Sequence, residues 1–410
     1  MAKRVAVVGG GAAGLMAAFQ AAISGAIVFL FEKNPNLGRK ILISGKGRCN
    51  LTNIKELEEF ITYVPGNGKF LYSSFSAFSN KDLIIFFESL GVKTKIERGG
   101  RVFPVSDSSY DVVKALHRAV ISANVSLVYN SRVNDIIIDK GRIMGVKYGD
   151  SEDIFSCDSV IIATGGLSYP STGSTGDGYE LARRIGHKIT ELKPSLVPLI
   201  TTEKWIKNLQ GLALKNVEAT VYVKQRKLVS EFGEMLFTHY GISGPIILTL
   251  SRTVVDHLKE RPVVSINLKP ALSESELDQR LLKDFSLYKN KIYKNSLNNL
   301  LPKKLIPVFI NYTGIDPYKP INQISKSERK KILNSIRNFC VTVCGCRDKE
   351  AIVTRGGVSV KEINPKTLES KIIKGLFFAG EVIDVDGLTG GYNLQAAFST
   401  GFVAGLNAST

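Results

Sequence analysis

The 410-residue sequence has no uninterrupted apolar run approaching the ~20 residues that a bilayer-spanning helix needs. Near the amino terminus, glycines 9–11 interrupt the apolar stretch that begins at Val5, too early for the hydrophobic region of a signal peptide. Cysteine is also scarce: five residues, an odd number, do not make a disulfide framework and suit a reducing compartment. We therefore expect a cytoplasmic globular protein that is not embedded in a membrane.

Several catalytic and metal-binding motifs are missing as well. The sequence contains no His-Glu metal helix, no G-x-S-x-G nucleophile elbow and no P-loop, so nothing in it indicates a hydrolase or a kinase. Cys340, Cys344 and Cys346 form a C-x3-C-x-C group, but a fourth ligand and a nearby histidine are absent. We expect no metal site and interpret these three cysteines as buried small hydrophobic residues.

Positive charge is abundant and unevenly distributed. The chain carries 54 Lys and Arg against 37 Asp and Glu, a formal net charge of +17. Residues 191–346 hold 24 basic and 13 acidic residues, and residues 281–337 hold 12 and 3. Such a flank attracts nucleic acid, an acidic partner or an anionic substrate. The interpretation we favour is a solvated helical surface, because no nucleic-acid motif or aromatic interleaving accompanies the charge, although nucleic acid is not excluded.

The first thirty residues predict a strand, a glycine turn, a helix and a second strand. Val5–Val8 is a short β-branched run, residues 15–24 are Ala-rich and helical in pattern, and Ile27–Phe31 is a second strand. Between the first strand and the helix, Gly9, Gly11 and Gly14 take the G-x-G-x-x-G positions.

Each glycine of this motif has a physical task. The first allows the tight turn, the second lets the backbone approach a pyrophosphate, and the third lets the helix and the strand pack closely. The pyrophosphate then rests at the positive end of the helix. Glu32, eighteen residues after Gly14, is placed for the ribose hydroxyls of an adenosine. With the flanking strand and helix, the motif predicts a dinucleotide site.

Two later predicted strands are also followed by turns that contain glycine. Residues 157–165 end in Ala-Thr-Gly and residues 374–381 end in Ala-Gly-Glu. Residues 390–401 then form the pattern of a loop that feeds the N-terminus of a helix, an end that stabilises the negative charge of a reduced flavin. This succession of motifs resembles the two-dinucleotide-fold FAD flavoproteins, in which Asp is usual at the position of Glu381.

Four further segments carry a narrower resemblance, nearly from end to end. They are residues 38–53 (GRKILISGKGRCNLTN), 165–178 (GGLSYPSTGSTGDG), 237–245 (FTHYGISGP) and 386–393 (DGLTGGYN). The sequence is similar to the bacterial BaiN/RdsA-type NAD(P)/FAD-dependent oxidoreductases, the HI0933-like flavoproteins that include a bile-acid enone reductase. The resemblance implies an α/β fold, with a Rossmann-like FAD-binding domain interrupted by an inserted β-barrel and a helical unit.

The positions of the motifs indicate the same division of the chain. We predict an FAD-binding domain in residues 1–190 and 347–410, and an inserted substrate or cap domain in residues 191–346. Residues 217–223 and 263–268 read as strands of the insert. Ser273 and Glu276 are spaced as a capping box, Pro245 suits the first turn of a helix, and residues 332, 333, 336 and 339 form an apolar stripe.

The motifs and the resemblance together give the residues expected at the cofactor. Arg39, Lys40, Lys46 and Arg48 bring cations to the glycine-rich loop, where we expect flavin contact rather than an ordinary basic surface loop. Cys49 has no C-x-x-C partner, so we expect a packed or flavin-adjacent thiol without a redox step. The full cofactor set is Gly9, Gly11, Ala12, Ala13, Gly14, Glu32, Lys33, Arg39, Lys40, Ser44, Gly45, Gly47, Arg48, Cys49, Asn50, Val133, Ala163, Thr164, Gly165, Gly166, Gly380, Glu381, Gly391, Asn393, Leu394, Gln395 and Ala396.

The predicted activity is reduction of a small organic substrate. Hydride would come from flavin N5, NAD(P)H would bind transiently as the reductant, and the resemblance implies an enone C=C as acceptor. Tyr169 and His239 are the candidate proton donors, in motifs that could face a cavity between the domains. Two alternatives stay open: an RNA-modifying flavoprotein that uses the basic insert, and a flavin-binding protein without turnover. Oligomeric state and nicotinamide preference are not legible in the sequence.

Overall fold

The computed structural model describes residues 2–410 and divides them into two compact units. The first unit comprises residues 2–194 and 352–410, and the second comprises residues 195–351. The first unit is therefore discontinuous in sequence, and both terminal parts of the chain contribute to it.

The first unit contains most of the strands and eight of the helices. Its strands are β1 (Arg4–Val8), β2 (Ile27–Phe31), β3 (Thr52–Asn53), β4 (Thr94–Glu97), β5 (Arg101–Pro104), β6 (Ser126–Val128), β7 (Val133–Asp139), β8 (Arg142–Tyr148), β9 (Asp153–Ser156), β10 (Ser159–Ile162), β11 (Lys193–Ser195, which reaches the boundary), β18 (Val353–Arg355) and β19 (Leu376–Phe378). Its helices are α1 (Ala12–Ile23), α2 (Arg39–Ile43), α3 (Leu57–Thr62), α4 (Tyr72–Ala77), α5 (Asn80–Ser89), α6 (Ser109–Ser122), α7 (Asp177–Arg184) and α12 (Tyr392–Ala408).

A five-stranded parallel sheet is the centre of this unit. Its order is β19-β10-β1-β2-β6, with Val5 aligned to Ser159 on one side and to Val28 on the other. The central strands are apolar along their length because parallel sheets are covered on both faces. Strands β7, β8 and β9 form a separate antiparallel sheet, and β3, β5 and β4 form another.

Helices α1 and α12 join the two terminal parts of the chain. A Cβ on Gly401 would lie 2.3 Å from the carbonyl oxygen of Ala13, and one on Gly405 would lie 2.3 Å from that of Ala17. Only glycine permits this backbone approach, one turn apart along both helices. The two helices therefore pack backbone to backbone, which fixes the N-terminus of α12 relative to the glycine turn.

The second unit is a barrel with helices. Its strands are β12 (Leu199–Thr201), β13 (Ala213–Val223), β14 (Arg226–Phe237), β15 (Gly241–Ser243), β16 (Val263–Asn267) and β17 (Phe339–Cys346). Its helices are α8 (Pro245–Asp256), α9 (Glu274–Leu287), α10 (Ile306–Thr313) and α11 (Lys326–Arg337). The six strands close in the order β12-β15-β14-β13-β16-β17. Pro245 begins α8, and Ser273 with Glu276 forms a complete capping box on α9, as the sequence predicts.

Three local expectations need correction. The helix after the glycine motif begins at Ala12 rather than at residue 15, and α12 already begins at Tyr392, inside the segment expected to be a loop. Phe339 is buried like its predicted stripe partners, but it lies on β17 rather than on α11.

The three clustered cysteines are not buried, contrary to expectation. Cys344 is exposed, and Cys340 and Cys346 are partly exposed. Strand alternation explains this, because Phe339, Val341 and Val343 of the same strand fill the barrel core and the even-numbered residues point to the other face. None of the helices in residues 2–410 is both long and apolar enough to cross a bilayer.

A buried histidine makes the stability of the first unit depend on pH. His187 Nδ1 lies 3.1 Å from Glu362 Oε2, and Nε2 lies 2.9 Å from Ser370 Oγ. Burial lowers the pKa of His187, against the raising effect of Glu362. The unfolded chain, with a histidine pKa of about 6.5, therefore takes up a proton that the folded chain resists. Stability should be greatest above that pH and decline as the pH falls below it.

We expect His187→Gln to flatten the decline in the free energy of unfolding between about pH 7 and pH 5. Urea unfolding of wild type and variant at several pH values measures this difference. His117→Gln, a substitution of an exposed histidine in α6, is the matched control and should follow wild type. Equal pH slopes for His187→Gln and wild type would contradict the assignment.

Candidate functional site

The glycine turn between β1 and α1 is fixed by two close backbone contacts and leaves one open position. Gly9 has a φ of +104°, and a Cβ there would lie 2.7 Å from the Ala163 carbonyl oxygen. A Cβ on Gly14 would lie 1.8 Å from the carbonyl oxygen of Gly9. A Cβ on Gly11, in contrast, would meet no protein atom within 4 Å. Gly9 and Gly14 therefore serve the fold, whereas Gly11 borders open space at the start of α1.

The N-termini of α1 and α12 lack side-chain caps. Gly11 and Gly391 occupy their N-cap positions, and neither first turn contains an acidic residue. Of the other helices in residues 2–410, α5, α9 and α11 each carry a complete capping box, and the remaining seven also lack a side-chain cap. The free N–H groups and the positive dipole ends of two helices thus remain available to an anionic or electron-rich group.

Glu32 follows β2 and is tied to the same turn. Its side chain is buried, Oε2 accepts a hydrogen bond from the Gly10 backbone N–H at 2.8 Å, and Oε1 accepts one from the Asn34 backbone N–H at 2.8 Å. Arg39 Nη1 donates to Asn34 Oδ1 at 2.6 Å. Lys33 instead pairs with Asp177, with Nζ 2.8 Å from Oδ2. Asn34 Nδ2 also donates to Glu32 Oε1 at 2.6 Å, so Glu32 is held rigidly and Oε2 keeps one acceptor site for a further donor.

Glu381 joins three segments of the first unit. Its Oε1 accepts hydrogen bonds from Ser168 Oγ at 2.9 Å and from the Thr354 backbone N–H at 2.8 Å. Lys40 Nζ lies 2.5 Å from Glu381 Oε2 and 2.7 Å from Ser168 Oγ. This network ties α2, the segment after the Ala-Thr-Gly turn and β18 together.

The glycine-rich loop and the segment before α12 meet directly. A Cβ on Gly391 would lie 2.5 Å from the carbonyl carbon and oxygen of Thr52. Asn53 Nδ2 donates to the Gly390 carbonyl oxygen at 3.3 Å. Residues predicted from opposite ends of the sequence are therefore adjacent in one unit.

Several buried oxygen atoms in these segments have no hydrogen-bond partner. They include Asn50 Oδ1, Thr164 Oγ1 and Gln395 Oε1, all on residues of the predicted cofactor set. Buried polar groups are nearly always paired in native proteins. Unpaired oxygens, uncapped helix ends and the open space at Gly11 are what a bound dinucleotide would satisfy, so the residues present fit FAD.

Arg48 and Cys49 of the glycine-rich loop also make contacts within the protein. Arg48 pairs with Glu97 and with Asp107, and its guanidinium lies 4.3 Å from the Phe103 ring centroid. Hydrogen bonding to Arg48 lowers the pKa of Glu97. Cys49 is fully buried, and burial raises the pKa of its thiol to about 12.

This burial predicts a clear order of cysteine reactivity. Iodoacetamide at about pH 8 should alkylate Cys344, which is exposed, and leave Cys49 unmodified in the folded protein because the thiolate is the nucleophile. Cys157, also buried with a pKa raised to about 12, is the internal control and should be protected equally. Peptide mass spectrometry of native and urea-unfolded samples measures this order. Alkylation of Cys49 at the rate of Cys344 would contradict it.

Except for Val133, the remaining predicted cofactor residues lie on the elements already described. Val133 begins β7 and borders a cleft of about 140 Å³ with Arg132, Asp177 and Arg184. Asn393 Oδ1 accepts a hydrogen bond from the Gly387 N–H at 2.8 Å. The others are distributed as follows: Ala12 and Ala13 in α1, Ser44, Gly45 and Gly47 after α2, Ala163, Gly165 and Gly166 after β10, Gly380 after β19, and Leu394 and Ala396 in α12.

The two candidate proton donors belong to different units. Tyr169 is partly buried in the first unit at a φ of +55°, and its carbonyl oxygen accepts hydrogen bonds from Thr172. His239 is exposed in the second unit, where its ring contacts Tyr240 at a centroid distance of 4.8 Å.

Sequence reasoning missed three residues that organise the site. Asn34 lies two residues after Glu32, and Ser168 lies in the segment 165–178, so the neighbouring motifs could have indicated both residues. Thr354 lies in no sequence motif, yet its Oγ1 accepts hydrogen bonds from the Leu167 and Ser168 N–H groups.

Comparison with known proteins adds to this geometry. A family model described as the HI0933-like protein Rossmann domain matches residues 3–407. The chain is 33% identical over 411 residues to the 3-dehydro-bile acid delta(4,6)-reductase of Clostridium scindens, with 98% of each chain covered. It is 33% identical over 409 residues to a ribosomal RNA dihydrouridine synthase of Haemophilus influenzae, again with 98% of each covered. Among solved structures, the open conformation of a flavocytochrome c3 fumarate reductase superposes with a TM-score of 0.54 at 19% identity, covering 99% of this chain and 78% of that one.

Proposed function

This chain belongs to the HI0933-like Rossmann-domain family, and from that premise we propose that it uses FAD to reduce a carbon–carbon double bond conjugated to a carbonyl group. The family and the fold make it an FAD-type oxidoreductase. The relatives' names support the finer proposal. A delta(4,6)-reductase of 3-dehydro-bile acids and a dihydrouridine synthase both saturate a C=C that a carbonyl activates toward hydride.

One observation carries the proposal: uncapped helix N-termini, an open Gly11 position and unpaired buried oxygens occur together on the predicted cofactor segments. The N–H groups at the start of α1 are the candidates for holding the pyrophosphate, and Glu32 for the adenosine ribose.

Bound FAD, once reduced by the proposed nicotinamide, would supply a hydride donor at N5. The protein's own residues would bind and orient it. The N-terminus of α12, with no acid in its first turn, stabilises negative charge placed beside it. Lys40, held by Glu381 and Ser168, adds a fixed cation to the same unit.

Tyr169 and His239 remain the proposed proton donors. If Tyr169 supplies the proton, Tyr169→Phe lowers kcat while leaving flavin reduction by a nicotinamide unchanged. His239→Gln is the corresponding test in the second unit. A variant that slows both half-reactions equally acts on folding or on flavin binding instead.

We propose NAD(P)H as the transient reductant. Anaerobic stopped-flow mixing of the flavin-loaded protein with NADPH or NADH should bleach the flavin absorbance, and a steroid 4-en-3-one should then restore it. Absence of bleaching with both nicotinamides removes the NAD(P)H part of the proposal. Bleaching without reoxidation by any conjugated acceptor removes the substrate part.

Uracil within RNA is the second candidate substrate, favoured by the charge of the second unit. Residues 195–351 carry 25 Lys and Arg against 14 Asp and Glu. Reoxidation of the reduced protein by uridine-containing RNA, with dihydrouridine detected by mass spectrometry, would select this candidate over a small enone.

A further inference from the structure

Two segments of the second unit that are distant in sequence are pinned side by side. The Tyr293 N–H donates to the Lys319 carbonyl at 2.9 Å, the Lys294 N–H to the Pro317 carbonyl at 3.1 Å, and the Ile321 N–H to the Lys291 carbonyl at 3.0 Å. Tyr293 is fully buried, and its hydroxyl lies 3.3 Å from Thr313 Oγ1. These contacts fix the backbone of residues 291–294 and 317–321, and with it the positions of the neighbouring surface side chains.

That surface pairs aromatic rings with lysines. Lys291 Nζ lies 4.3 Å from the centroid of the Tyr288 ring, and Lys294 Nζ lies 4.3 Å from that of Tyr318. Tyr318 is 64% exposed, so most of its ring is open to solvent. Within residues 2–410, neither lysine has a carboxylate within 4 Å. We call Tyr288, Lys291, Lys294 and Tyr318 the Tyr–Lys patch.

The patch corrects the sequence-based view that the basic flank lacks aromatic interleaving. Tyr318 is far from Lys294 in the chain, and the bridge between Ile292 and Pro320 brings them together. The fold therefore creates the pairing of Lys294 with Tyr318, whereas Tyr288 and Lys291 are already neighbours in the sequence.

We propose that the Tyr–Lys patch binds single-stranded RNA. Surfaces of this kind hold single strands by stacking bases on aromatic rings while cations neutralise the adjacent phosphates. The surrounding side chains favour RNA over a lipid surface. Asn290 and Asn295 are exposed nearby, and their side-chain amides can hydrogen-bond base edges but have no partners in hydrocarbon.

The inference rests on the RNA alternative of the proposed function for its biological meaning, but binding is measured without turnover. Fluorescence anisotropy of a labelled 12-nucleotide uridine-rich RNA, titrated with the full chain at several salt concentrations, gives the affinity and its salt dependence. Lys291→Ala/Lys294→Ala should weaken binding at low salt at least tenfold and reduce the log–log salt slope by about 1.4, since each phosphate contact on a single strand contributes roughly 0.7. Lys361→Ala/Lys366→Ala removes the same charge from exposed positions of the first unit and should change the affinity less than twofold.

Tyr318→Ala and Tyr318→Phe separate stacking from charge. The alanine variant should bind RNA about tenfold more weakly, because loss of one stacked base typically costs this much or more, whereas the phenylalanine variant keeps the ring and the wild-type affinity. Circular dichroism confirms that each variant is folded.

Three outcomes overturn the inference: no RNA binding at low salt, equal losses in the Lys361/Lys366 control, or anionic vesicles or polyglutamate binding through the same residues as tightly as RNA. Reduction of a small enone by a protein that fails to bind RNA would leave the proposed function standing while this inference falls. Conversely, a protein that binds RNA through the Tyr–Lys patch but reduces no substrate would support this inference and contradict the proposed reductase function.

Discussion

Gly11→Val is expected to reduce FAD affinity by at least about 100-fold while leaving the folded apo-protein nearly as stable as wild type. Gly11 has an extended backbone that valine also adopts, and a Cβ there meets no protein atom within 4 Å. The added methyl groups would fill the space over the first turn of α1, where the backbone must approach a pyrophosphate. Loss of a glycine N-cap costs about 1 kcal/mol or less. FAD titration of the apo-protein and urea unfolding measure the two effects separately.

Gly14→Ala supplies the contrast. Its Cβ would lie 1.8 Å from the Gly9 carbonyl oxygen, so the β1–α1 packing itself must shift, and both stability and FAD binding should fall together. If Gly11→Val binds FAD as tightly as wild type, the glycine turn does not hold the cofactor.

Gly391→Ala is expected to lower the free energy of unfolding of the first unit by about 3 kcal/mol and to weaken FAD binding with it. Its φ of +102° strains an alanine by about 1 kcal/mol or more, and the new Cβ would lie 2.5 Å from the Thr52 carbonyl. The glycine-rich loop and the start of α12 would have to separate. Urea unfolding with and without added FAD measures the loss.

Gly186→Ala isolates the backbone strain. Gly186 has a similar φ of +93°, but a Cβ there meets nothing within 4 Å. Gly186→Ala should lower the free energy of unfolding by only about 1 kcal/mol and leave FAD binding unchanged. Equal losses for Gly186→Ala and Gly391→Ala would mean that contact between the two loops contributes nothing.

The sequence predicted the elements whose signals are local. The β1–α1–β2 unit follows from apolar runs around Gly9 and Gly14, which cannot be replaced without backbone clashes. The family and the fold class are confirmed. The capping box of Ser273 with Glu276 and the proline at the start of α8 were predicted for the same reason, because each signal lies within the first turn of its helix.

Features that depend on contacts between residues distant in the chain could not be predicted from the sequence. The Glu381 network needs Thr354, whose position carries no motif, and the pairing of Lys294 with Tyr318 depends on a bridge between remote segments. The cysteines of β17 were misjudged because composition favours burial of cysteine, whereas strand alternation assigned the core to Phe339, Val341 and Val343. Which face of β17 packs into the barrel core depends on how the neighbouring strands pair with it.

The central claim is that the two terminal parts of this chain form one site for FAD. Incubating the purified protein with FAD, removing free cofactor by gel filtration and recording the visible spectrum tests it most directly. We predict about one bound flavin per chain for wild type and almost none for Gly11→Val. A wild-type protein that emerges colourless after this treatment would contradict the claim.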